Sequence, residues 1–269
     1  MEEVEEAKKA KNFDDAKSLL KLLRKKMKPK KPEIAGLPEP PEDPYIIQQL
    51  ALVTYKAKHD TPEKEIAALR EACDLLYKLN PATSNDTETL GLWGAVHKRL
   101  WDKAKDAPAL DKAIRSYERG FSLRNDYYNG INFAFLLNIR AAHAAGLAKA
   151  SAGPAARHLA AAIADFVRAE QVREEVLTIC DEWIKSSPVL DEKASHAAQK
   201  QYLNSKYWVV ATKAEAYLGT GKTALAEATY QEAYAFAPAP WMIDSTKEQR
   251  AKLEPLLADS PLKYVRAGE

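Results

Sequence analysis

Apolar residues in this chain recur three and four positions apart almost from end to end. In FDDAKSLLKLLRKKM, Phe13, Ala16, Leu20 and Leu23 fall on one face of a helix. Alternating runs rich in Val, Ile and Thr are absent, and only 10 of the 269 residues are glycine. This pattern restricts the chain to helices packed on helices.

The breaks between periodic segments predict about eleven helices, most joined by short turns. VEEAKKAKNFDDAKSLLKLLRKKM reads as a helical pair broken near Asn12. KPKKPEIAGLPEPPEDP has no helical period and reads as an extended Pro-rich linker. The expected organisation is therefore a degenerate N-terminal pair over 1–28, a linker over 29–44 and a helical domain over 45–269 with a capping last helix. The basic run Arg24–Lys31 reads either as a charged helix end or as a contact for an anionic partner. Pro44 lies near the start of PYIIQQLALVTYKAK. Thr61 and Pro62 cap and open EKEIAALREACDLLYKL, because Thr accepts from orphan amides and Pro suits the first turn. Three further pairs follow, including a long helix from about Pro154. Ser245 with Glu248, and Thr246 with Gln249, have capping-box spacing and predict the last helix to start there.

GTGKT at 219–223 resembles the end of a phosphate-binding loop. That loop needs a glycine five positions before its second glycine and a strand ahead of it. The position is Ala216, and Tyr207, Val210, Ala211, Ala214, Tyr217 and Leu218 mark a helical stripe instead. Gly219 and Gly221 are expected in left-handed conformations that turn one helix into the next.

The stretch carries a second meaning. Ala214, Tyr217, Ala226, Tyr230, Ala233 and Pro238 have the spacing of a tetratricopeptide repeat, in which small residues let two helices approach and aromatics fill the space between them. Gly94, His97, Ala113, Tyr117 and Gly120 are a looser match. The expected fold is all-α, a tetratricopeptide-like array of antiparallel helix pairs forming a short right-handed superhelix with a concave face of first helices. QQLALVTYKAK, NDTETLGLWGAVHKRLW, SYERGFSLRNDYYNGINFAFLLNIRA and YWVVATKAEAYLGTGK with WMIDST further resemble the TRAFs-binding domain family, over about 45–257. That family is found in apoptosis signal-regulating kinases and in many bacterial proteins. The resemblance implies a helical regulatory or scaffolding domain whose activity comes from a partner. It does not carry over TRAF proteins as that partner.

Lys and Arg total 40 against 38 Asp and Glu, so charge alone argues neither for nucleic acid nor for an anionic membrane. No run reaches about 18 consecutive apolar residues, and the acidic N-terminus does not read as a signal peptide. Two distant cysteines, Cys73 and Cys180, fit free thiols in a reducing, cytoplasmic setting.

Candidate chemistry is sparse. His59, His97, His143, His158 and His196 lack metal-ligand spacing. His97 stands where the repeat carries an aromatic and is expected to pack. Cys180 precedes two carboxylates and is a poor nucleophile, Cys73 reads as a small core residue, and Glu174–Glu175 reads as a solvated face. No cofactor and no metal are expected. Polar residues on apolar helices are the candidates for partner contact: Asn132 and Asn138 as amides facing a peptide or as satisfied core amides. Lys98 and Arg99 read as cations on the concave side or at a solvated helix end, and Trp208 as an anchor or as core.

The expected function is a non-catalytic module of a signalling or defence system that binds a protein or peptide in its groove. The alternatives are a self-associating oligomer with the groove filled by another copy, and a nucleotide binder using GTGKT.

Overall fold

The computed structural model describes residues 1–29, 41–150, 155–187 and 195–266. The middle of the expected linker and Pro154, where the long helix was expected to begin, lie outside these residues. Among the described residues there are eleven helices of two turns or more and one closing turn of helix, with no strand. They pack in consecutive pairs as a tetratricopeptide-like array. The chain divides into two units, Met1–Leu123 and Arg124–Glu269.

The first unit holds α1 (Glu2–Lys9), α2 (Phe13–Lys26), α3 (Pro44–Lys56), α4 (Pro62–Tyr77), α5 (Thr87–Ala104) and α6 (Ala107–Arg124). Local chemistry starts these helices. The Asp43 carboxylate accepts from the Tyr45 amide at 2.9 Å, with Pro44 in the first turn. Thr61 Oγ1 accepts from the Lys64 amide at 3.3 Å, and Asp86 accepts from the Thr89 amide at 3.1 Å. Each satisfies an amide that the helix itself leaves orphaned.

One core joins Val4, Ala16 and Leu20 to Ile47, Leu50, Val53, Leu69, Leu76 and Val96. The N-terminal pair α1–α2 is therefore packed in the same unit as α3–α5. Polar contacts sort the helices into two layers. First helices touch first helices: Lys8 Nζ donates to Gln49 Oε1 at 2.6 Å, and the buried Gln48 amide donates to Thr89 Oγ1 at 3.0 Å. Second helices touch second helices: Lys17 meets Glu71 at 2.7 Å. α5 and α6 approach closely at Gly94, where a Cβ would lie 2.8 Å from Tyr117 Cε2.

The second unit holds α7 (Tyr127–Ala150), α8 (Ala155–Ser186), α9 (His196–Gly219), α10 (Thr223–Ala235), α11 (Pro240–Ala258) and α12 (Lys263–Arg266). α7 is the one described helix long and apolar enough to cross a membrane; more than half of that stretch is buried inside the protein. Arg140 forks onto Asp165 to tie α7 to α8, at 2.7 and 2.8 Å. Ala214, Ala226 and Tyr230 pack together between α9 and α10, as the repeat spacing predicts.

α11 corrects the expected start of the last helix. It begins at Pro240, so Ser245 and Thr246 lie inside it and cap nothing. Burial of Met242 against Tyr207, Val210 and Ala233 draws WMIDS into the helix. The Thr246 hydroxyl, mid-helix, donates to the Met242 carbonyl and shares a 2.9 Å hydrogen bond with Tyr207.

The turn at GTGKT is a helix–helix corner. Gly221 is left-handed, with φ of 76°, a conformation that costs glycine little. Gly219 is not left-handed as expected. It is the last residue of α9, and its missing side chain serves packing instead: a Cβ there would overlap the Arg173 guanidinium.

Candidate functional site

The five residues singled out as partner contacts have very different surroundings. Lys98 and Arg99 lie on α5 in the first unit, Lys98 half-buried and Arg99 exposed. The Arg99 guanidinium rests 4.9 Å from the centre of the Tyr55 ring and donates to the Tyr55 carbonyl at 3.4 Å. Stacking and hydrogen bonding together hold this cation against α3 without neutralising it. Lys56, next to Tyr55, has its ammonium pKa lowered by loss of surrounding water, then by the positive charges of Arg99 and Lys8. Lys8 reaches this place from α1. Three first helices thus bring Lys8, Lys56 and Arg99 to one strip, in which Lys8 also pairs with Glu5 at 2.8 Å and Glu88 acts on Lys56 in the opposite sense. Lys8 and Lys56 were not singled out from sequence, because nothing local shows that α1, α3 and α5 lie side by side.

The second unit treats its candidates otherwise. Asn132 donates to the Tyr128 carbonyl of its own helix at 2.9 Å. Asn138 is only 1% exposed, and its Oδ1 accepts from Arg173 Nη2 at 2.6 Å. It therefore faces the α7–α8 core and not a peptide: once Arg173 is buried, its guanidinium needs an acceptor, and Asn138 provides one. Burial, the larger effect, lowers the Arg173 pKa and the nearby Glu215 opposes it, leaving the guanidinium lowered to about 10. Trp208 is half-buried, edge-on to Tyr207 at 5.2 Å and tilted against the exposed Trp241 at 6.0 Å.

Cys73 and His97 come together in the first unit, with Sγ 3.8 Å from the ring Nε2. Sequence reading missed this pair, since 24 residues and a helix turn separate them. Burial pushes the thiol up to about 12 and the imidazole down to about 4. Both groups are neutral at neutral pH, the opposite of a thiolate–imidazolium pair. His97 instead packs tilted against Trp93, ring centres 4.1 Å apart, and bonds its carbonyl at 3.0 Å, in the packing role expected of it. Cys180 is buried, and its thiol also rises to about 12. Among the described residues no cluster of three or more His, Cys, Asp or Glu is placed to hold a metal ion.

At GTGKT, a helix and not a strand precedes the glycines. Lys222 points to α8, where its ammonium meets Glu174 at 3.1 Å. A phosphate loop presents its lysine to the phosphates of a nucleotide; this lysine sits in an ion pair.

Residues 10–137 match the family model described as TPR-S, Tetratricopeptide Repeats-Sensor. That stretch is a tetratricopeptide-like helical domain, which in general is a protein-interaction module. The match starts in the first unit and ends within α7, short of the Ala214–Pro238 repeat. No curated protein matches the chain.

Proposed function

We propose that the chain is a non-catalytic interaction module, a regulatory or scaffolding subunit of a signalling or defence assembly. In this reading it takes a partner segment along the first-helix layer of its first unit. The observation that carries it is the strip of Lys8, Lys56 and Arg99, contributed by three consecutive first helices. Lys98 adjoins it. Cations that neighbouring helices bring to one face favour an acidic partner. The resemblance of DYYNGIN and ETLG to TRAFs-binding domains, and the sensor-type family model, agree with a domain that regulates a separate signalling activity. The cytoplasm is the compartment proposed for it.

The test is affinity capture from lysate of the source organism with wild type and a folded Lys98→Glu, Arg99→Glu double variant. A stoichiometric partner lost in the variant is expected. A partner retained equally by both would move the site off this face, and the absence of any partner, with a dimer in light scattering, would replace this reading by self-association.

A further inference from the structure

A second feature of the first unit lies away from that strip, on the side of the second helices. A cavity of about 450 Å³ opens between Tyr77 of α4, the turn Asn80–Thr83, Leu90 and Trp93 of α5, and Lys112, Arg115 and Arg119 of α6. Its size is that of a site for a ligand or an anchored side chain. Its floor and walls are apolar and aromatic, and its rim is basic.

The three cations are the informative part. Positions 112, 115 and 119 fall on one face of α6. Like charges so spaced repel along a helix. Several other cations of the unit do meet carboxylates: Lys8 meets Glu5, Lys17 meets Glu71, Arg24 and Lys78 meet Glu42, and Lys103 meets Glu65. Among the described residues none of Lys112, Arg115 and Arg119 forms an ion pair, and no carboxylate lines the cavity. Arg119 is partly committed, donating to Asn85 Oδ1 at 2.7 Å and to the Thr83 carbonyl, while its Nε is buried without a partner. Lys112 and Arg115 are exposed. Tyr77 at the mouth is 69% exposed, the most exposed large hydrophobic side chain among the described residues.

We infer that this cavity is a docking site for an acidic peptide segment of a partner protein, with an apolar side chain of the segment seated against Trp93, Leu90 and Tyr77. The inference rests on the reading of the chain as an interaction module but uses a different face. Charge complementarity selects an anionic occupant, and the length of the row selects a peptide. Lys112 to Arg119 spans about 10 Å along the helix axis. A compact anion reaches one or two of these groups. An extended segment places alternate side chains roughly 7 Å apart on one side and the intervening ones on the other. It thus presents carboxylates to the row and an apolar side chain to the cavity. With the first-helix strip, the unit would hold two segments on two faces, which is what a scaffold requires.

The test is fluorescence anisotropy of a labelled peptide of alternating glutamate and leucine, titrated with the full chain at low and moderate salt. A lysine–leucine peptide serves as control, and ATP as competitor. Saturable, salt-sensitive binding of the glutamate peptide is expected, weakened about ten-fold or more in Lys112→Ala, Arg115→Ala. Tyr77→Ala is expected to weaken it less, and Lys112→Ala, Arg115→Ala to weaken it by a similar factor when Lys98→Glu, Arg99→Glu has removed the first-helix strip. Absence of binding, or binding indifferent to Lys112 and Arg115, overturns the inference and leaves the first-helix reading intact. Loss only in the Lys98, Arg99 variant assigns the peptide to the other strip and also overturns it. ATP bound through Lys112 and Arg115 where the peptide fails to bind would make the occupant a polyphosphate instead of a protein.

Discussion

The guanidinium of Arg173 lies against the bare Cα of Gly219, and the two residues lock α8 to the end of α9. Arg173 is fully buried, and a Cβ on Gly219 would overlap its Nε and Cδ. Gly219→Ala gains helix propensity of up to ~1 kcal/mol but forces a buried side chain to move where there is no room. We expect a net loss of about 1–3 kcal/mol, read as a lower urea midpoint with unchanged slope.

Arg173 and Asn138 should prove strongly coupled. Asn138→Leu leaves the guanidinium without its hydrogen-bond acceptor and should cost about 3 kcal/mol. Arg173→Met takes the cation away from the buried Asn138 Oδ1 and from the nearby buried Glu215, and should also cost about 3 kcal/mol. In the Arg173→Met background, Asn138→Leu should cost little. A double-mutant cycle in urea measures this, and additive losses would contradict it.

Stability should fall as the pH drops from about 6.5 to about 4 because of His97. Burial lowers its pKa to about 4, so in that window the unfolded chain takes up a proton that the folded chain refuses. The loss amounts to roughly 3 kcal/mol once the pH is below the folded value. Glu42 acts in a lower window. Hydrogen bonding from Arg24 lowers its carboxyl to about 2, so its contribution is present above about 4.5 and is lost only as the pH falls toward that value. Urea midpoints against pH should show the upper slope in wild type and a flattened one in His97→Phe.

The GTGKT corner should behave as a turn. Gly221→Ala places a side chain at a φ of 76° and should cost about 1 kcal/mol. Lys222→Ala removes one exposed ion pair to Glu174 and should change stability by less than ~1 kcal/mol. Binding of ATP by wild type that Lys222→Ala abolishes would restore the phosphate-loop reading.

How far these features could be read in advance depends on how far apart their causes lie in the chain. The helical period, the Thr61–Pro62 start and the pairing of Ala214 and Ala226 around Tyr230 were legible because each rests on residues within a few turns of one another. The start of α11 was misread for an instructive reason: Ser245 and Glu248 have capping spacing, but burial of Met242 extends the helix past them. Asn138 was open between core and groove in the sequence, and only its contact with Arg173 settles it.

By itself the sequence determined an all-helical chain of paired helices with small residues and aromatics at their crossings, since period, caps and turns are local properties of the backbone. Only the tertiary structure decided which charges are buried, paired or left bare. Arg173 reads like any surface arginine until α7 and α9 close over it. Lys8, Lys56 and Arg99 become one strip only when three helices lie side by side, and Lys112, Arg115 and Arg119 become a basic rim only once Tyr77, Leu90 and Trp93 enclose a cavity beside them. Desolvation and charge pairing are set by neighbours distant in sequence, and the local pattern does not encode them.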